Sequence, residues 1–577
     1  MMSDGDRNPG SVGAVAVPAG PFGVGTSAVR LGPAIAGRCR RRVHLDFDPD
    51  LDPATRRPPE PGLLQRWADL DEHRDRVHAE LRGSGLGTVE LPEPVDVGRT
   101  EAVTASRPAA IWSPLLRAGH RIGRPDLLVR DGDGYRPVLV RGHRTLDPGR
   151  GAVCAPVSDL LGATTRSDRK VRRHFADLLA LAHLHRLLED LGLAASGPAR
   201  GAVIGRGGPS ADPDWDDAAL AVWHELPADL IAEYDARIAD RHRVAIAAAT
   251  RQPALAQPSR VAECRRCPWW PRCSVELVAT HDVSLLAAGS DVAALHEVGI
   301  TTVDDLAAVP EAVAAELVLG SVPAVEARVR ARAWLRGLPL VRRTARVAVP
   351  RADVELDVDM ESYLDDGAYL WGTYLTGADV GAPTGYRAFA TWELLPDRDE
   401  GRAFAEFWQY LRSLQRAARD RRLTMAVYCY SRAAEERWLR STPRRHPDVP
   451  GMPSVHEIAE FCASPAWVDL YAEIRSLFVV PGSMRLKALA PVAGFEWRDP
   501  EPGGENSMAW YRQAVGADTG IPDLRSADRV LRYNEDDVLA TLALRRWITE
   551  HAHEVPTVGE LEAGPAVPEH ANPQVTG

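Results

Sequence analysis

Between residues 353 and 361 the chain reads Asp353-Val354-Glu355-Leu356-Asp357-Val358-Asp359-Met360-Glu361, acid and apolar side chains in strict alternation. A period of two is the period of a β-strand, so the apolar residues share one face and the five acids the other. Neighbours on one face of a strand stand roughly 6–7 Å apart. Carboxylates in such a row repel one another unless water or cations screen them, and a divalent ion bound through oxygen turns the repulsion into coordination. An exposed edge strand is the other setting that could bear them. A second acidic group, Tyr533-Asn534-Glu535-Asp536-Asp537, opens a long amphipathic stretch. Tyr533 and Asp537 are four residues apart and share a helix face. Acids in a first helical turn also complement the helix dipole, so capping is an alternative account of these charges. Between the two groups, an apolar strand at 423–430 is followed by Glu435 and, further on, by Asp469.

Cysteines supply a second kind of chemistry. Cys264, Cys267 and Cys273 fall within ten residues, in a segment bent by Pro268 and Pro271, and can converge on one metal centre. The fourth ligand must come from elsewhere, and Cys39, in the arginine-rich segment 37–46, is the best placed. Four thiolates suit an iron–sulfur cluster or tetrahedral zinc, and spacing alone does not choose. Cys154, Cys429 and Cys462 are isolated and read as packed side chains.

The elements that must position these groups form an α/β multidomain chain. At 577 residues, and about 150 residues per domain, three or four units are expected. Residues 1–30 and 551–577 read as disordered tails; 31–277 alternate helices with short strands and end in the cysteine cluster; 278–340 are helical; 345–550 run from the acidic strand to the long helix. Within the helical unit, Val292–Ala307 reads as a helix, a turn at Gly299 and a Thr-capped helix, a helix-hairpin-helix-like pattern whose backbone N–H groups could face a phosphate. A net charge of −11 argues against coating nucleic acid by bulk charge, so any polyanion must be held by local basic clusters. Almost all positive charge is arginine; the only lysines are Lys170 and Lys487. No apolar run approaches the roughly 18–20 residues that span a bilayer. The acidic start lacks the pattern of a secretion signal. The expectation is a cytoplasmic protein without membrane contact. No phosphate-binding Gly-x-x-x-x-Gly-Lys loop is present, so a motor such as a helicase would be a separate chain.

An early Cys, a nuclease-like core and a distal triple-Cys cluster together resemble the RecB-like PD-(D/E)XK nucleases that carry an iron–sulfur staple. The resemblance implies a restriction-endonuclease-like fold for 31–277 and a [4Fe-4S] cluster on Cys39, Cys264, Cys267 and Cys273, with zinc as runner-up. It also places metal-binding roles on His73 and on Asp126 of Gly123-Arg124-Pro125-Asp126. Where that family carries acid-x-Lys, the chain has Leu139-Val140-Arg141. Leu139 cannot hold a metal, and the permanently charged Arg141 cannot exchange a proton. The N-terminal domain is therefore expected to grip nucleic acid rather than cut it. The C-terminal motifs resemble the RNase H-like fold of the DnaQ-like 3′–5′ exonucleases. That resemblance implies that Asp359, Glu361, Glu435 (where the family uses Asp, with Asp469 as the other choice) and Asp537 hold two Mg²⁺ or Mn²⁺ ions, and that Tyr533 positions the attacking water. The two domains in this order look closest to RecB-like nucleases with a C-terminal RNase H-like exonuclease domain. The implied substrate is DNA or RNA, single-stranded; the alternative is a catalytically inactive nucleic-acid-binding or partner-docking protein with an iron–sulfur or zinc staple.

Overall fold

A computed structural model describes residues 29–206 and 219–563. Its first unit is built on an eight-stranded mixed sheet. At the centre, Gly134–Arg144 pairs in parallel with Arg200–Arg206, and helix Phe175–Asp190 lies in the chain between them. That helix is apolar over most of its surface because both sides are covered; Leu181, Leu184, Leu187 and Leu188 sit in the core with Leu139 and Val203. The next unit is a small helical cluster. Ser290–Glu297 and Val303–Ala308 are joined through Gly299, whose φ of 80° is the left-handed conformation that glycine adopts freely.

The C-terminal unit is a five-stranded sheet in the order Gly385–Ala390, Gly367–Gly377, Val354–Tyr363, Met425–Cys429, Trp467–Asp469. The first three strands are antiparallel and the last two run parallel to the acidic strand Val354–Tyr363. That strand is the central one, so it is not an exposed edge. Its apolar face, Val354, Leu356 and Val358, packs with Phe404, Phe407, Leu411 and Leu414 of helix Asp399–Asp420. Its acidic face is turned towards helix Leu524–Glu550.

The N-terminal and C-terminal units are packed together. Helix Pro61–Gly83 meets helix Gly504–Ala514 closely enough that a Cβ on Gly62 would stand 2.4 Å from Glu505. Asn506 Oδ1 accepts from Gly62 N at 3.1 Å, and Asp69 accepts from the Tyr363 hydroxyl at 2.7 Å.

The expected tails need correction where the structure describes them. Val29 is already part of the N-terminal core. Residues 551–563 form a short turn and the helix Val558–Ala563, because Leu561 is buried against Val329, Ala333, Val341 and Val479 and Glu562 pairs with Arg328. Residues 1–28 and 564–577 lie outside the described residues. Among the described residues, no helix is long and apolar enough to cross a membrane.

Candidate metal centre of the C-terminal domain

The five acids of the central strand do not share one fate. Asp353 accepts from the Thr424 backbone and hydroxyl at 2.8 and 2.7 Å and ties two strand starts together. Asp357 accepts from Arg545 Nε and Nη2, both at 2.8 Å, and Glu355 accepts from Arg545 Nη1 at 2.6 Å. Arg351 adds a second contact to Glu355 at 2.6 Å. Burial raises the Glu355 carboxyl, but the Arg351 hydrogen bond and the Arg545 charge outweigh it and hold it down at about 2. Three of the five acids are thus satisfied by protein groups. Asp359 and Glu361 remain.

These two meet Asp537. One oxygen from each of Asp359, Glu361 and Asp537 lies within 4.8 Å of the others. Helix Leu524–Glu550 makes this possible through a stripe at helical spacing. Tyr533, Asn534, Asp537, Thr541 and Arg545 are all buried on it, so one helix supplies both the centre and the cation for the acids upstream. Each carboxylate is also held from behind. Asn534 Nδ2 donates to Asp359 at 2.8 Å, and the Tyr386 hydroxyl donates to Asn534 Oδ1 at 2.8 Å. The approach is open only because Gly372 faces Asp359 in the sheet; a Cβ there would fall 1.6 Å from Asn534 Oδ1. Ser507 Oγ donates to Glu361 at 2.6 Å and is itself bonded to Tyr369 at 2.9 Å. Trp497 Nε1 donates to Asp537 at 2.6 Å. Lys487 Nζ is 2.7 Å from the Tyr533 hydroxyl and 3.2 Å from Asp537 Oδ2.

Glu435, near the start of helix Arg432–Arg445, is buried, and its Oε2 has no hydrogen-bond partner. Burial, then Asp469 and Glu361, push its carboxyl up to about 8. Burial and the Asp537 charge push Glu361 to about 8 as well. Asp359 is raised well above the ordinary range by burial and by Asp537, Glu361 and Glu435. Burial and the charges of Asp537, Glu361 and Asp359 keep the Tyr533 phenol protonated far beyond its usual value. Asp359, Glu361 and Asp537 are a donor set that could hold a divalent cation. Asp469, the other choice, instead caps helix Leu470–Leu477 by accepting from Ala472 N at 3.0 Å.

Elsewhere the sequence-derived residues have other surroundings. Asp126 accepts from Val140 N at 2.8 Å and pairs with Arg74 at 2.7 Å and Arg141 at 3.7 Å. Arg141 also pairs with Asp177 at 2.9 Å, so a guanidinium stands between two carboxylates. His73 is buried, and burial with the charges of Arg76 and Arg206 pushes it down to about 4. Cys39, 224 residues from Glu263, donates its N–H to that carboxylate at 2.7 Å, while Arg42 pairs with the same group at 2.7 Å. Cys39, Cys264, Cys267 and Cys273 are free thiols, and among the described residues no three of them bring their sulfurs within 4.8 Å of one another as the acidic triad does with its oxygens. Burial raises Cys267 to about 11 and Cys273 to about 12. In the helical hairpin, the N–H groups of Thr301 and Thr302 are taken by Asp305 at 3.1 and 2.9 Å, so they are not free for a phosphate.

The comparisons with known proteins agree with this sheet and its closing helix. A family model described as RNase_H superfamily matches residues 404–549. The C-terminal domain is RNase H-like. The match contains Glu435, Lys487, Tyr533 and Asp537 but begins downstream of Asp359 and Glu361, which the sheet brings to the same place. No curated protein and no solved structure matches the chain.

Several supporting residues of the RNase H-like domain were not assigned from the sequence. Asn534 lies inside the Tyr533–Asp537 motif, Ser507 lies in a turn-rich stretch at 499–511, and Lys487 is one of only two lysines. The rarity of lysine was the one signal pointing at Lys487. Nothing local singles out Tyr369, Tyr386, Gly372 or Trp497.

Proposed function

We propose that the C-terminal domain hydrolyses phosphodiester bonds of DNA or RNA in a divalent-metal-dependent reaction, as a 3′–5′ exonuclease on single strands. The observation that carries this reading is the meeting of Asp359, Glu361 and Asp537 within 4.8 Å; Glu435, with a partnerless oxygen, interacts electrostatically with Asp359 and Glu361. Those four side chains would hold Mg²⁺ or Mn²⁺. Such ions, when bound, lower the pKa of water and stabilise charge on the attacking and leaving oxygens. The rest is the work of the protein's own groups. Asn534 and Ser507 fix the carboxylates of Asp359 and Glu361, so no reorganisation is needed when substrate arrives. Tyr533, kept neutral, offers a hydroxyl to orient water, and Lys487 holds that hydroxyl against Asp537. The test is release of nucleotides from a labelled oligonucleotide with Mn²⁺, alongside calorimetric Mn²⁺ binding. An absence of products, together with unchanged Mn²⁺ affinity in Asp359→Asn/Asp537→Asn, defeats the proposal.

The N-terminal domain fits a second part of the reading, a PD-(D/E)XK-like domain that has lost cleavage. The Arg141 guanidinium between Asp126 and Asp177 occupies the place where a cation would be needed. The thiols of Cys39, Cys264, Cys267 and Cys273 would hold a [4Fe-4S] cluster, with zinc as the alternative. Buried thiols raised towards 11 and 12 need a bound metal to become thiolates. Iron and sulfide assays with visible absorbance on anaerobically purified protein decide between the two. Whether the domain serves with a separate helicase is read from copurification.

A further inference from the structure

The acidic centre raises an electrostatic difficulty that its own residues do not remove. The chain carries a net charge of −11, and clustered carboxylates repel a polyanionic strand before any cation is bound. A nucleic-acid substrate therefore needs cations at the approach to the site that are not already engaged by carboxylates.

Three arginines at the seam of the N-terminal and C-terminal domains meet that description. Arg485 directly precedes the short helix Leu486–Leu489, whose Lys487 reaches Tyr533 and Asp537. Arg260 and Arg265 flank Cys264 on the N-terminal domain. That cysteine loop is docked on the C-terminal domain, because Arg266 pairs with Glu505, two residues before the Ser507 that holds Glu361. Arg66 pairs with the same Glu505 at 3.0 Å, and Arg57 donates to the Arg265 carbonyl at 2.6 Å, which fixes the loop's backbone. Arg260 donates one N–H to Leu285 O at 2.9 Å and lies 6.0 Å from the Trp270 ring.

Arg260, Arg265 and Arg485 are all exposed. Among the described residues, none of them has a carboxylate at ion-pair distance. Partial burial and the charges of Arg265 and Arg260 together lower Arg485 below its ordinary value, so the three groups are crowded as well as unneutralised. Guanidinium groups never lose their charge at working pH, and their planar fork matches phosphate oxygens in pairs. Water and salt screen exposed like charges of this kind in part, and a bound polyanion relieves them further.

We propose that Arg260, Arg265 and Arg485 form a clamp on the phosphate backbone of the nucleic-acid strand, leading it across the domain seam to the acidic centre. The clamp rests on the nuclease reading above and adds a binding surface contributed jointly by both domains. It also gives the N-terminal domain a part in substrate handling that needs no second catalytic centre.

The test measures binding apart from cleavage. Fluorescence anisotropy of a labelled single-stranded DNA or RNA oligonucleotide is recorded in EDTA over a range of salt concentrations. Wild type is compared with Arg260→Gln/Arg265→Gln/Arg485→Gln, with Arg485→Lys, and with Arg243→Gln as an exposed control. Each phosphate neutralised contributes about −0.7 to the log–log salt slope for single strands, so the triple variant should be shallower by about 2 and bind about 10- to 100-fold more weakly at about 0.1 M salt. Arg485→Lys should keep the slope, and Mn²⁺ affinity should be unchanged in all variants. A triple variant that melts like wild type yet keeps the wild-type slope and affinity overturns the clamp and leaves the nuclease reading standing. A wild-type protein that neither binds oligonucleotides nor releases nucleotides overturns the nuclease reading and the clamp with it.

Discussion

Replacing Arg545 with methionine separates the two roles of the acidic strand. Arg545 and Asp357 are 0% exposed and Glu355 3%, and the guanidinium makes three hydrogen bonds of 2.6–2.8 Å to the two acids. Removing one partner of a buried ion pair leaves uncompensated charge and costs about 3–5 kcal/mol. The Glu355 carboxyl gives a separate figure for part of that cost. A fall from 4.5 to about 2 on folding corresponds to about 3 kcal/mol. Because the folded value is depressed, this stability is fully present above about pH 4.5 and disappears as pH falls towards 2. Arg351 supplies part of the depression, so the variant should lose some of it and not all. Urea unfolding followed by tryptophan fluorescence should therefore show a loss of several kcal/mol in Arg545→Met near neutral pH, narrowing in acid. Millimolar Mg²⁺ should not restore it, whereas adding Glu355→Gln and Asp357→Asn should recover much of it by removing the stranded charges. Full rescue by Mg²⁺ would show that these acids are metal ligands. A loss below about 1 kcal/mol would show that Arg545 does not neutralise them, and either result makes the division of the strand wrong.

Three other perturbations test the centre itself. Gly372→Ala places a methyl where Asn534 Oδ1 now sits, so Asp359 loses its support; Mn²⁺ affinity or hydrolysis should drop about 10- to 100-fold, and unchanged values in both would show that Asn534 does not position the carboxylate. Lys487→Met frees Tyr533 and Asp537; hydrolysis should fall at least about 10-fold while calorimetric Mn²⁺ binding does not weaken, and equal loss of both would make the lysine a structural support only. Glu361 and Glu435, both raised to about 8, hold protons at neutral pH in the metal-free protein, so Mg²⁺ affinity should climb from pH 6 to 8 with measurable proton release. In the same range the raised carboxyls make the metal-free fold less stable as pH rises from about 4.5 towards 8, and added Mg²⁺ should oppose that loss; a flat affinity profile would contradict the burial of these acids.

Local patterns in the sequence were enough for the main secondary structure of the acidic strand and the closing helix of the C-terminal domain. Alternation at 353–361 marks a strand with one apolar and one acidic face, and the spacing of Tyr533 and Asp537 marks one face of a helix. Both follow from backbone periodicity, which neighbouring residues alone determine. The same logic missed the folded segment 551–563, since one buried leucine, Leu561, leaves no periodic trace. Nor could it sort the five acids. Asp357 and Asp359 are alike in type and in neighbours, yet one is bound to Arg545, 188 residues away, and the other is held by Asn534, 175 residues away. The amino-acid sequence alone thus determined which residues could present carboxylates on one face of a strand or helix, because that depends on the repeat of strand and helix. Only the packing of the long helix across the sheet decided which carboxylates were neutralised and which stayed open, because burial and charge depend on distance in space.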